Sequence, residues 1–157
     1  MMHRDSTAAG GDDPRQVPAG NGQADRDWLP TRLPPHNIEV EHQLISALVS
    51  APEVLPGVRA ILRGPGDFYR AFHQEIYRAL CGLADRGVAI DGAILWEELL
   101  RLGHLSRGEG DLARLGAILT SAPHACNAAY HGGIVREKAL GRDLIDLARF
   151  PVGWPTQ

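Results

Sequence analysis

The side chains with the strongest claim to chemistry are His124, Cys126 and His131, gathered in the stretch "HACNAAYH". A zinc-type centre needs four protein ligands, or three and a water, and no second ligand pair stands nearby at a known spacing, so no metal is expected. His42 and His73 fall on helical stretches, where a hydrogen-bonded surface or boundary histidine is the ordinary expectation. Glu39 and Glu41 could act as a carboxylate pair. Their place in the first turn of a helix, where negative charge offsets the positive end of the helix dipole, accounts for them better. Gly64 and Gly66 in "RGPG" would suit a phosphate-cradling loop only with a lysine in P-loop spacing. The sole lysine, Lys138, follows Glu137, so no Walker A loop can form in this chain. G-x-S-x-G and H-E-x-x-H patterns are absent as well. The sequence therefore offers no catalytic or cofactor-binding residues, and a non-enzymatic role is expected.

Composition points the same way. A chain of 157 residues, 44% of them hydrophobic, is long enough for one domain with a real core. Aromatics make up only 6%, and the apolar content is mostly Leu, Ala, Ile and Val, which suits helix packing. The formal net charge of -3 leaves no excess of cations to cover a long run of phosphates, so direct DNA contact is not expected. A small DNA-binding regulator is accordingly the weakest alternative. The two cysteines, Cys81 and Cys126, lie far apart and are expected to be reduced. With no secretory h-region and no run of about 18 apolar residues, a soluble cytoplasmic protein is expected.

The elements that must position these residues can be read in order. Residues 1–35 are rich in Gly, Pro, Asp and Arg and are expected to form a disordered polar leader, with Trp28 and Leu29 as its one possible anchor. A domain over residues 36–150 follows, then a short tail, 151–157. Asn37 is placed to cap a first helix carrying Leu44, Ile45, Leu48 and Val49 on one side. Pro52 marks a turn, and a short second helix runs from about Pro56 to Leu62. Phe72, Ile76, Ala79, Leu80 and Leu83 define a third helix closed by Gly87. Asp91 caps a fourth, which carries Trp96 toward the core and stops at Gly103. Leu112, Leu115, Ile118 and Leu119 mark a fifth, and a sixth runs from Asn127 to Arg149. The fifth and sixth are expected to fold back on each other as an antiparallel hairpin.

On a wheel of about 100° per residue, Tyr130, Ile134, Leu140, Leu144, Ile145 and Ala148 share one face of the sixth helix. Arg136, Lys138, Arg142, Asp143 and Asp146 lie opposite, with Val135 and Ala139 among them. Those two apolar residues in a charged face suggest a seat for a second copy. The candidate self-association or partner surface is Tyr130, Ile134, Val135, Ala139 and Arg142.

Taken together, "LPPHNIEVEHQLISALV", "DFYRAFHQEIYRALCGLADRGVAID", "LWEELLRLGHL" and "NAAYHGGIVREKALGRDLI" resemble, in this order and spacing, the N-terminal domain of the bacterial replicative DNA helicase DnaB. The resemblance covers roughly residues 33 to 149. It implies an all-α bundle of about six helices, with a globular head and a C-terminal helical hairpin. It also implies hairpins that pair into a collar on a hexameric ring, where primase and in some systems loader proteins dock. In that family the hairpin leads on to a motor that holds ATP and DNA, and here "PVGWPTQ" cannot continue the helix. The expected function is thus a non-catalytic interaction and oligomerisation module of DNA replication, a homodimer or higher oligomer that meets primase or helicase subunits. A truncated or split replicative helicase is the alternative.

Overall fold

A computed structural model of the chain describes residues 33–121 and 124–149. The expectations for the leader before Leu33, including Trp28 and Leu29, and for the tail 151–157 lie outside the described residues. Among the described residues there are six α-helices and no strand: α1 (Ile38–Ser50), α2 (Leu55–Ile61), α3 (Ala71–Asp85), α4 (Gly92–Arg101), α5 (Glu109–Leu119) and α6 (Ala128–Arg149). Single 3₁₀ turns precede α2 (Pro52–Val54), α3 (Pro65–Asp67) and α6 (Ala125–Asn127).

Local rules set most of the boundaries. Asn37 Oδ1 accepts from Val40 N at 3.1 Å, and Asp91 Oδ1 accepts from Ile94 N at 2.8 Å, so both expected N-caps are made. Gly87 and Gly103 stop α3 and α4 with φ of 68° and 77°, a left-handed conformation that a residue with a Cβ resists.

Around α1 the other helices gather. Its Leu44, Ile45, Ala47 and Leu48 are buried, and α1 packs against α3, α5 and α6. Phe72, Ile76, Tyr77, Ala79 and Leu80 of α3 complete the centre with Leu95 and Leu99 of α4 and Leu115 and Ile118 of α5. Each such side chain contributes roughly 1.5–3 kcal/mol by leaving water. Trp96 is half-buried and packs on the core's edge. Among the described residues no single helix is long and apolar enough to cross a membrane.

The expected pairing of the last two helices is corrected. The main partners of α6 are α1 and α2, and that of α5 is α1, while α5 and α6 make little direct contact. The short connection brings the two helices near in sequence. The large apolar surface of α1, however, offers each of them more burial than they offer each other.

One histidine reading is corrected as well: His73 is 1% exposed and so is not a surface or boundary residue, while Glu41 stands in the first turn of α1 as expected and is itself 2% exposed. Glu41 Oε2 accepts from His73 Nδ1 at 2.5 Å and its Oε1 accepts from Tyr69 N at 2.7 Å, tying α1 to α3. Glu39, by contrast, is exposed at the helix start as expected.

Helix α6 carries glycines whose surroundings differ. A Cβ on Gly133 would meet nothing within 4 Å, whereas a Cβ on Gly141 would come within 3.3 Å of Pro35 Cγ. Gly133→Ala should therefore raise the unfolding free energy by about 0.5–1 kcal/mol. Gly141→Ala should gain less or lose stability, because the proline must give way. Urea denaturation of the two variants side by side checks this; equal gains would show that Pro35 does not press on α6.

Candidate interaction surface

Helix α6 has two apolar faces, and the head takes one of them. Ala128, Gly132, Val135 and Ala139, spaced four, three and four apart, are all buried. They are small, and that smallness lets the helix come close: a Cβ on Gly132 would stand 3.8 Å from side-chain carbons of Val58 and Ile61 on α2. On the other side Leu140, Leu144 and Leu147, spaced four and three apart, are 43%, 67% and 62% exposed, and Tyr130 is 72% exposed. Leu140, Leu144 and Leu147 form a short apolar stripe at helical spacing, a pattern found on surfaces that meet a partner. From Asp143 to Arg149 every residue is exposed, so the end of the helix projects beyond the head.

A polar latch fixes the angle of that projection. Arg142 Nη1 donates to Pro35 O at 2.8 Å and Nη2 donates to Asp67 O at 2.6 Å, with the guanidinium 5.7 Å from the Tyr69 ring centroid. The Tyr69 ring in turn stacks on His36 at 4.1 Å. Asp67 is buried and accepts from Arg63 N and Nε at 2.8 and 2.9 Å. Arg63 Nη1 also reaches Asp143 Oδ2 at 2.5 Å, joining the loop after α2 to α6.

The five residues expected to form the surface are thus divided. Tyr130 lies in the open, and Ile134 is half-buried. Val135 and Ala139, expected on the outer face, are each only 2% exposed and belong to the head contact. Arg142, expected to face a partner, spends its donors on two backbone carbonyls of its own chain. Leu140 and Leu144, on the wheel face shared with Tyr130 and Ile134, are exposed. The spacing of small residues on the Val135 side was the available signal, since close helix packing favours them.

The grouping of His124, Cys126 and His131 is not a centre. His124 and Cys126 are exposed while His131 is buried, and among the described residues no three His, Cys, Asp or Glu side chains stand together as a metal site requires. Burial pushes the Tyr77 phenol and the Cys81 thiol above their ordinary values, which makes both poor nucleophiles.

Burial lowers the pKa of His131, and burial together with the nearby His73 lowers that of His42. A histidine held below its unfolded value disfavours the protonated form in the fold. Its contribution is present above the unfolded pKa and is lost as pH falls below it. The thermal midpoint should consequently drop between about pH 7.5 and about pH 5.5. His131→Gln should flatten part of that dependence, and an unchanged slope in the variant would exclude His131 as a source.

The fold defines a class: a small all-α domain in which α6 offers one face to its own head and leaves another exposed. The chain belongs to the DnaB-like helicase N terminal domain family, which matches residues 33–137. It is 39% identical over 122 residues to the replicative DNA helicase DnaC of Bacillus subtilis (strain 168), covering 78% of this chain and 26% of that protein. With the replicative DNA helicase DnaB of Geobacillus stearothermophilus the identity is 37% over 117 residues, 74% of this chain and 25% of the relative. The chain therefore spans about a quarter or less of the length of the curated relatives it matches. Among solved structures, the N-terminal domain of DnaB helicase from Mycobacterium tuberculosis superposes with a TM-score of 0.69 at 35% identity, covering 74% of this chain and 83% of that one. The N-terminal domain of DnaB helicase from Helicobacter pylori, described together with its interactions with primase, shares the fold at a TM-score of 0.60 and 22% identity, covering 71% of this chain and 85% of that one.

Proposed function

We propose that this chain is a non-catalytic interaction and oligomerisation module of the bacterial replication machinery, acting in the cytoplasm, and that the outward stripe of α6 is its seam. The observation that carries the reading is the row Leu140, Leu144 and Leu147, exposed on a helix whose opposite face is already satisfied by the head. In water such a row favours burial against a like surface, and a second copy of the same helix supplies one. Primase is the proposed partner of the assembled form, by likeness to the Helicobacter pylori domain described with it.

The test is mass in solution over a range of concentrations, followed by pull-down with primase and with replicative helicase. A dimer or larger species that retains either protein supports the proposal. A strict monomer that ignores both at high concentration defeats it.

A second reading rests on coverage. The curated relatives are about four or more times as long as the matched stretch, so the chain also fits a truncated or split replicative helicase whose ATP-dependent motor lies elsewhere. An adjacent reading frame encoding a Walker A motor favours this reading, and an isolated gene favours the free-standing adaptor.

A further inference from the structure

The outward side of α6 carries a finer pattern than its three leucines. Tyr130, Gly133, Glu137, Leu140, Leu144 and Leu147 stand alternately three and four residues apart, and all six are exposed. That is the spacing of a two-stranded coiled-coil seam. The buried Ala128, Gly132, Val135 and Ala139 lie on the opposite side of the helix, so the head leaves the whole row open.

The row is uneven, and this limits how a second copy can sit on it. Gly133 leaves a gap, since a Cβ there would meet nothing within 4 Å, and Glu137 puts a carboxylate in the seam. Two parallel copies in register would set gap against gap and carboxylate against carboxylate, losing packing and adding repulsion. Turned antiparallel about a two-fold axis level with Lys138 and Ala139, the row complements itself. The partner's Leu144 then falls over Gly133, the partner's Leu147 over Tyr130 and the partner's Leu140 over the stem of Glu137. A register shifted to set Leu140 against the partner's Leu144 would run Gly133 and Tyr130 past Arg149, where α6 ends.

The borders of the row agree. At about 100° per residue, Arg136 and Asp143 flank it on one side and Ile134, Gly141 and Ala148 on the other. Antiparallel partners bring like borders together, so Arg136 meets the partner's Asp143 and apolar meets apolar. Parallel partners would press the charged border on the apolar one. Both charges have a counter-charge in their own chain, Asp67 at 4.0 Å and Arg63 at 2.5 Å, so the contact sets direction more than strength.

We infer that α6 pairs antiparallel with α6 of a second copy, in the register that seats Leu144 of each copy over Gly133 of the other. This rests on the self-association proposed above and adds which residues each copy lends the other.

The test is disulfide trapping in the full chain with Cys81→Ala and Cys126→Ser, which remove the two native thiols. One preparation carries Gly133→Cys and another Leu144→Cys, and the two are mixed under mild oxidation. The register brings these positions within disulfide reach, whereas two copies of either one stand about 16 Å apart along the axis. The mixture should link at several times the yield of either variant alone. Leu144→Cys linking mainly to itself, or faster to Leu140→Cys than to Gly133→Cys, would overturn the inference. Independently, Glu137→Leu in the unaltered chain should tighten the dimer about tenfold or more, because a leucine there packs on the partner's Leu140. Unchanged association would remove Glu137 from the seam and overturn the register as well. Sedimentation of every variant separates the two readings. A dimer that links in another pattern keeps self-association and ends the register, and a strict monomer ends both.

Discussion

Glu41→Ala should lower the unfolding free energy by roughly 3–5 kcal/mol, the loss expected when one member of a buried polar pair is removed. Its carboxylate holds the His73 ring at 2.5 Å and the Tyr69 amide at 2.7 Å, and both paired side chains are almost wholly out of water, at 3% and 2% exposure. The variant leaves two donors with no acceptor in a space that water does not reach readily. Glu41→Gln keeps the shape and one acceptor oxygen and should fall between wild type and alanine. The informative comparison is Glu41→Leu with His73→Leu. An apolar pair of similar volume asks for no partner, so the double variant should be more stable than the sum of the single changes allows. Urea unfolding at constant slope measures all five variants, the two single leucine changes included. Strictly additive losses would show that the two side chains do not act as a pair.

Leu140→Asp combined with Leu144→Asp should weaken self-association by about 100-fold or more while leaving the fold intact. In a two-fold symmetric contact each substitution is present twice, and every leucine kept in water forfeits roughly 1.5–3 kcal/mol of burial. Within the isolated chain the same positions are exposed, so unfolding should shift by no more than about 0.5 kcal/mol. Leu112→Asp is the matched control. This leucine is 58% exposed on α5, away from the stripe, and its replacement should leave the assembly unchanged. Val135→Asp gives a contrast of a different kind. It places a charge in the head contact, so any loss of assembly in that variant reports damage to the fold. Sedimentation velocity paired with thermal unfolding separates the two effects. A double aspartate variant that assembles normally removes the α6 stripe as the seam.

The latch at Arg142 links these two regions. It holds Pro35 and Asp67 by their carbonyl oxygens and lies over Tyr69, whose own amide is fixed by Glu41. The direction in which α6 projects is thus tied to the buried pair at the centre of the head. A partner that reads the stripe reads a helix whose angle the core has set.

Which parts of this were legible in the chain follows from the range of the forces involved. Asn37 and Asp91 were identifiable as caps, and Gly87 and Gly103 as stops, because each acts on backbone groups within a few residues of itself. The core positions of α1 and α3 followed from periodicity, since each of those helices has one dominant apolar face. On α6 periodicity misleads. The helix has an apolar row on each side, and a wheel weights Leu140 and Leu144 above Ala128, Gly132 and Ala139 although the smaller residues are the ones that fit against α1 and α2. Glu41 and His73 were out of reach for a related reason, being 32 residues apart and meaning nothing to each other until α1 and α3 pack. By itself the sequence determined the helices, their ends and the family, because those depend on near neighbours and pattern. Only the tertiary structure decided which face of α6 is left for others, because that depends on which surface the head can bury most closely.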